Sequence, residues 1–202
     1  MNAAAKRELR KTAYHEAGHG VISIEVGRAV RYIALTTGHE QFAGVCCGYP
    51  ARVPGDHVPT SRVIARIERD AERAVLTLLA GDVAERRFEP QAKQHGQVDF
   101  EQAAQWALIV SGDAREEAAA YLHWLSVKCA RLVDEQWPMI VAVAEELYRR
   151  GERGRMTGRE IHILVNDTFV RTLMAKRTPA ERAAAKARLA AALNGTTPTP
   201  KP

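Results

Sequence analysis

The residues His15-Glu16-Ala17-Gly18-His19 have the types and the spacing that metal-dependent hydrolysis requires. On a helix, positions four apart lie one turn apart on the same face, so the imidazoles of His15 and His19 can reach one ion. Ring nitrogens bind Zn²⁺ at roughly 2.0–2.1 Å, and a zinc hydrolase adds a third protein ligand and keeps a fourth position open. Glu16, next to the first histidine, can reach a water held there without joining the ligand set. It would take a proton from that water and later deliver it to a leaving amine. The pKa of water on zinc falls from ~15.7 to about 7, which places the nucleophile at neutral pH. The small Ala17 and Gly18 leave room beside the ion and let another element pack closely.

Spacing alone leaves the third ligand open. His39, Glu40 and His57 fall in expected loops, His95 and Asp99 straddle an expected helix start, and Glu85 lies on an expected helix. Metzincin spacing asks for a histidine six residues after His19, where Glu25 stands instead. Glu40 falls at about the distance of a gluzincin ligand, yet within an expected turn between strands.

These residues need elements to position them. An apolar stripe through Ala13, Ala17, Val21 and Ile24 predicts a first helix over 8–26, with Gly27 at its end. "AVRYIALTT" (Ala29–Thr37) and "FAGVCCGY" (Phe42–Tyr49) read as two antiparallel strands joined by "GHEQ". Pro50–Thr60, with three prolines and a glycine, reads as a loop. The spacing of Val63, Ile67, Ala71, Val75, Leu78 and Val83 predicts a helix over 61–88. Another helix opens near Val98, and a long one follows "SGD" (Ser111–Asp113) to about Gln136. Pro138 must kink or restart it, because proline donates no backbone bond. The next helix reaches Arg150. "TGRE" (Thr157–Glu160) and "TPAE" (Thr178–Glu181) are capping boxes, the second with Pro179 at the first helical position. Trp106, Trp124 and Trp137 are spaced as packing residues on helix faces.

The 202 residues are 46% hydrophobic and 26% charged, the proportions of a soluble globular chain. No apolar run reaches the roughly 18–20 residues of a membrane span. The start lacks the apolar core of a secretory signal, so the expected location is cytoplasmic and no membrane partner is expected. Cys46, Cys47 and Cys129 form no CxxC pair and predict neither a disulfide framework nor a cysteine zinc site. Both ends are basic. Residues 1–12 hold four Lys/Arg against one Glu, and residues 171–202 hold seven against one, which leaves the body acidic. A solvated or self-docking tail is the expected reading of the second stretch, rather than nucleic-acid binding.

Three segments taken together, "AYHEAGHGV" (Ala13–Val21), "LLAGDVAER" (Leu78–Arg86) and "GQVDFEQAAQWA" (Gly96–Ala107), resemble the peptidase domain of the FtsH family of ATP-dependent zinc proteases. The similarity runs from about Thr12 to Val165. The resemblance implies a mainly α fold, a helical zinc-peptidase domain with a small antiparallel β-sheet next to the HExxH helix. It implies His15, His19 and Asp99 as zinc ligands and Glu16 as the catalytic residue. It implies for Glu85 a place behind a ligand histidine or in packing, and for Phe42–Tyr49 the role of an edge strand that pairs with extended substrate. The expected division is a peptidase domain over 1–172 and a basic helical tail with a disordered Pro/Thr-rich end over 173–202.

The departures from that family shape the functional expectation. No GxxxxGK[ST] occurs in these residues, so no phosphate-cradling loop is expected beside the peptidase, and no counterpart of the family's membrane segment is expected. Gly20 stands where the family usually has alanine, and Pro50–Thr60 also differs. The expectation is an ATP-independent zinc metallopeptidase acting on peptides or unfolded segments, or one working with a separate ATPase or adaptor. Relatives assemble as hexameric rings through both modules, so a homo-oligomer is also an expectation. The competing expectation is a non-enzymatic binding module that retains the scaffold and the metal site.

Overall fold

A computed structural model describes residues 2–38, 41–48, 61–91 and 96–176, with 178–181, 183, 184, 187 and 190 of the tail; for 36–38, 41–48 and 61–63 it describes the backbone only. The chain is mainly helical with a small antiparallel sheet. Its elements are α1 (Ala3–Glu25), β1 (Val30–Gly38), β2 (Gln41–Gly48), α2 (Ser61–Phe88), α3 (Gln97–Val110), α4 (Arg115–Glu135), α5 (Trp137–Arg149), β3 (Arg155–Thr157) and α6 (Gly158–Ala175).

Helix α1 starts earlier than its apolar stripe suggests. The Asn2 side chain accepts a bond from the Ala5 amide at 2.8 Å, an N-cap that adds a turn to a segment chosen by periodicity. The helix stops at Gly27, whose φ of 74° suits a residue without Cβ. Between these ends α1 runs through the middle of the fold. Ala13, Ala17, Val21 and Ile22 are buried against Val75, Leu76, Ala80 and Ala84 of α2, Val143 and Leu147 of α5, and Ile33 of β1. Burying each large apolar side chain stabilises the fold by about 1.5–3 kcal/mol. Gly18 permits the close approach of α1 to α2, since a Cβ there would lie 2.8 Å from Ala84 Cβ and 2.5 Å from the Ala80 carbonyl oxygen. At Gly20 a Cβ would stand 3.3 Å from Ile33 Cγ2, so the sheet closes tightly over this side of α1.

The sheet order is β2-β1-β3, both pairings antiparallel. Ile33 lies opposite Cys46 on one side and Met156 on the other, and Ile33 and Met156 are both buried. Strand β3 was not expected. Three residues carry no readable period, and they pair because the chain leaving α5 passes beside β1. Gly158, whose missing Cβ would fall on the Val30 carbonyl, lets α6 start directly against that strand.

The proline expected to interrupt the long helix does so: α4 ends at Glu135 and α5 begins at Trp137 with Pro138 in its first turn. Both capping boxes form. The Glu160 amide donates to Thr157 Oγ1 at 3.3 Å, and the Thr157 amide donates to Glu160 Oε2 at 2.7 Å. Thr178 and Glu181 repeat the exchange with the same two distances. Replacing Thr157 by alanine should cost about 1 kcal/mol, read as a lower urea midpoint with an unchanged slope. Trp106 and Trp137 pack against the core as expected, whereas Trp124 is 50% exposed, with Lys128 Nζ 5.2 Å from its ring centre. Its helical spacing could not show that half of this side chain faces away from the core. Among the described residues no helix is long and apolar enough to cross a membrane.

Candidate metal centre

Helices α1, α2 and α3 build one polar cluster inside this apolar frame. His15 and His19 project from α1, one turn apart, and their Nε2 atoms lie 3.0 Å from each other. Asp99, in the first turn of α3, brings Oδ2 to 3.3 Å from both. Three donors from two helices thus surround one point. Tetrahedral bonds of 2.0–2.1 Å place neighbouring donors about 3.3 Å apart, so these side chains have the separations a bound zinc would require. Among the described residues His15, His19 and Asp99 are the one group of three such side chains close enough to share an ion. His39, Glu40, His57 and His95 lie outside the described residues.

The far side of each ring is held. His19 Nδ1 donates to the Thr77 carbonyl of α2 at 2.7 Å, which leaves the Nε2 lone pair facing the cluster. His15 Nδ1 is 3.1 Å from Glu85 Oε2, and Glu85 is 2% exposed. Glu85 therefore stands behind a histidine and not among the three converging donors. Its other oxygen is 3.8 Å from Lys11 Nζ, and Lys11 also pairs with Glu8 at 2.5 Å. Lys11, His15 and His19 follow one another at intervals of four along α1, so this buried cation backs the carboxylate that orients the ring. A carboxylate behind a ligand histidine typically adds 10–100-fold to metal affinity. Glu85→Gln should accordingly weaken zinc binding by about tenfold in a competition titration against a chelating dye, while activity per bound zinc stays within about threefold.

Two glycines make the arrangement possible. A Cβ on Gly81 of α2 would lie 2.7 Å from His15 Nε2 and 2.6 Å from His19 Cε1, so only a residue without a side chain lets α2 pass the rings. Gly96, the N-cap of α3, is buried over α2, where a Cβ would stand 3.1 Å from Asp82 Cβ. That crossing delivers Asp99 to the histidines. Gly81 lies within "LLAGDVAER", and the one sign of its role in the sequence is that it is an isolated glycine inside a helical pattern. Nothing in the sequence marked Lys11 or the Thr77 carbonyl.

The electrostatics are those of a cation site. Burial works against a charge on His15, but its hydrogen bonds to Asp99 and Glu85, with the nearby acids, outweigh burial and raise its pKa to about 10. Burial also favours the proton on Asp99, and the hydrogen bonds to both rings outweigh it, holding that carboxyl below its usual range. The cluster favours positive charge, and a metal entering it would have to displace protons, which would make its affinity for metal fall as pH falls. Glu16 is 3% exposed, and its Oε2 is buried with no hydrogen-bond partner among the described residues. A buried carboxylate oxygen left unmatched costs ~1–3 kcal/mol or more, so the fold keeps it there against a penalty. Burial, aided by the charge of Asp99, raises the Glu16 pKa, while the two rings pull it down by less.

No protein-family model matches this chain, and no curated protein matches it.

Proposed function

We propose that this protein is a zinc-dependent metallopeptidase of FtsH-like type that hydrolyses peptide bonds in peptides or unfolded protein segments without ATP. The observation that carries the reading is the convergence of His15 Nε2, His19 Nε2 and Asp99 Oδ2 at 3.0–3.3 Å beside a buried glutamate whose Oε2 has no partner. Zinc held by these three donors would supply Lewis acidity, polarising a substrate carbonyl and making water nucleophilic near neutral pH.

The chain's own groups do the rest. Glu16 takes the proton of the attacking water on a carboxylate oxygen and hands it to the leaving amine nitrogen. Its raised pKa suits both halves of that transfer, because a stronger base accepts more readily and the acid form still releases the proton. Glu85 and the Thr77 carbonyl hold the two rings in the tautomer that turns Nε2 inward. Strand β2 lies at the edge of the sheet, and its outer backbone groups can pair with an extended substrate, a conformation that an unfolded segment adopts without first being opened. Unfolded segments are therefore the proposed substrates. A separate ATPase or adaptor would be needed only to deliver folded ones.

Purified protein should carry one zinc per chain and cleave an unstructured polypeptide such as reduced, alkylated casein without nucleotide. Chelation should stop cleavage, and added zinc should restore it. A chain that carries zinc and leaves a broad library of unstructured peptides intact would instead be a binding module.

A further inference from the structure

Helix α6 is apolar on two sides. Its inner side carries Ile161, Leu164 and Val165, buried or packed against the core. A surface helix normally turns polar residues outward. Here Ile163, Phe169, Val170, Leu173 and Met174 stand 36–53% exposed, and they are five of the eleven large apolar side chains exposed among the described residues. At 100° per residue these five centre on the side of α6 directly opposite Ile161 and Leu164. Among the described residues they belong neither to the buried core nor to the side chains packed against it.

We propose that this outer face of α6 is a homodimer interface, closed by the same face of a second copy running antiparallel. Charge selects that occupant and that direction. Asp167 and Arg171 border the apolar face on the same flank, and neither is ion-paired among the described residues. When two helices pack antiparallel, like flanks meet, and a two-fold axis at Phe169 brings residues equally far on either side opposite one another. Asp167 then faces Arg171 of the second copy, and Arg171 faces its Asp167. In the same register Ile163 lies beside Met174 of the second copy, and Val170 beside Val170.

The chain beyond α6 supports the same direction. Residues 176–202 carry six Lys/Arg against one Glu. A parallel pair would set two such tails side by side, whereas an antiparallel pair sends them to opposite ends of a helix about 27 Å long. Two five-turn helices bury on the order of 1,000 Å² together, the small end of stable interfaces, so the dimer is expected to form in the micromolar range.

Sedimentation of the full chain from ~1 to ~200 µM tests this. The expected result is a monomer–dimer equilibrium. Val170→Asp combined with Leu173→Asp should weaken it by at least about 100-fold while helicity and the urea midpoint hold, because both side chains stand 42–51% exposed and outside the described core. Asp167→Arg and Arg171→Asp should each weaken the dimer several-fold, and the two together should restore it to within about threefold. A monomer at the highest concentration overturns the proposal and leaves the face to another protein or to the chain's own tail. A dimer indifferent to the aspartates places the interface elsewhere, and failure of the double charge reversal to restore association overturns the antiparallel register.

Discussion

Glu16→Gln is expected to keep one zinc per chain and to lose peptide cleavage by roughly 10³-fold or more, since general-base removal alone typically costs 10²–10⁴. Glutamine has nearly the same shape but cannot hold a proton in transit. The metal should stay because the three converging donors are His15, His19 and Asp99, with Glu16 in none of the short contacts between them. Stability separates this outcome from misfolding. Burial raises the Glu16 pKa, so its protonated form suits the folded state; the stability this confers is full below the unfolded pKa and lost as pH rises through the folded one. Glutamine is neutral at every pH and escapes that loss. The variant should therefore unfold at a urea concentration no lower than the wild type at neutral pH. Metal analysis, a cleavage assay and a denaturation curve on the same preparation decide the matter. Cleavage at more than about a tenth of the wild-type rate would remove Glu16 from the chemistry.

Gly81→Ala is expected to abolish zinc binding without unfolding the chain. The added methyl would sit 2.7 Å from His15 Nε2 and 2.6 Å from His19 Cε1, and neither ring is free to yield. His19 is bonded to the Thr77 carbonyl and His15 to Glu85, so relieving the clash breaks at least one of those bonds and turns a donor away from the others. A misplaced ligand in a three-donor site should cost at least about 100-fold in zinc affinity, beyond the cost of losing an outer partner. Alanine is the better helix former by about 0.8–1 kcal/mol, which offsets much of the local strain. The predicted pattern is a well-folded, metal-free, inactive protein. Full zinc content in this variant would mean that the ion sits somewhere other than between these rings.

Periodicity along the chain was enough to outline the helical frame. Helix α2 lies at Ser61–Phe88 where its apolar spacing put it, Pro138 divides α4 from α5, and Thr157 caps α6 as its motif requires. Those features are legible because the forces behind them act within a few residues. The spacing of His15 and His19 is local in the same way, and so their shared face needed no structure. What spacing left open was the third member of the cluster, and there the resemblance named Asp99 while the residues alone admitted six positions.

The approach of Asp99 to the rings depends on α3 crossing α2 at Gly96 and on α2 passing the histidines at Gly81. Both are contacts between segments far apart in the chain, fixed by helix packing rather than by any neighbour in sequence. The same distinction explains the parts that were missed. Strand β3 exists because β1 is beside it, Lys11 matters because α2 brings Glu85 to it, and α6 shows an exposed apolar side because the described core packs against its inner one. Local interactions choose the elements and the residue types they carry, whereas side chains from different elements meet only where the whole chain has packed.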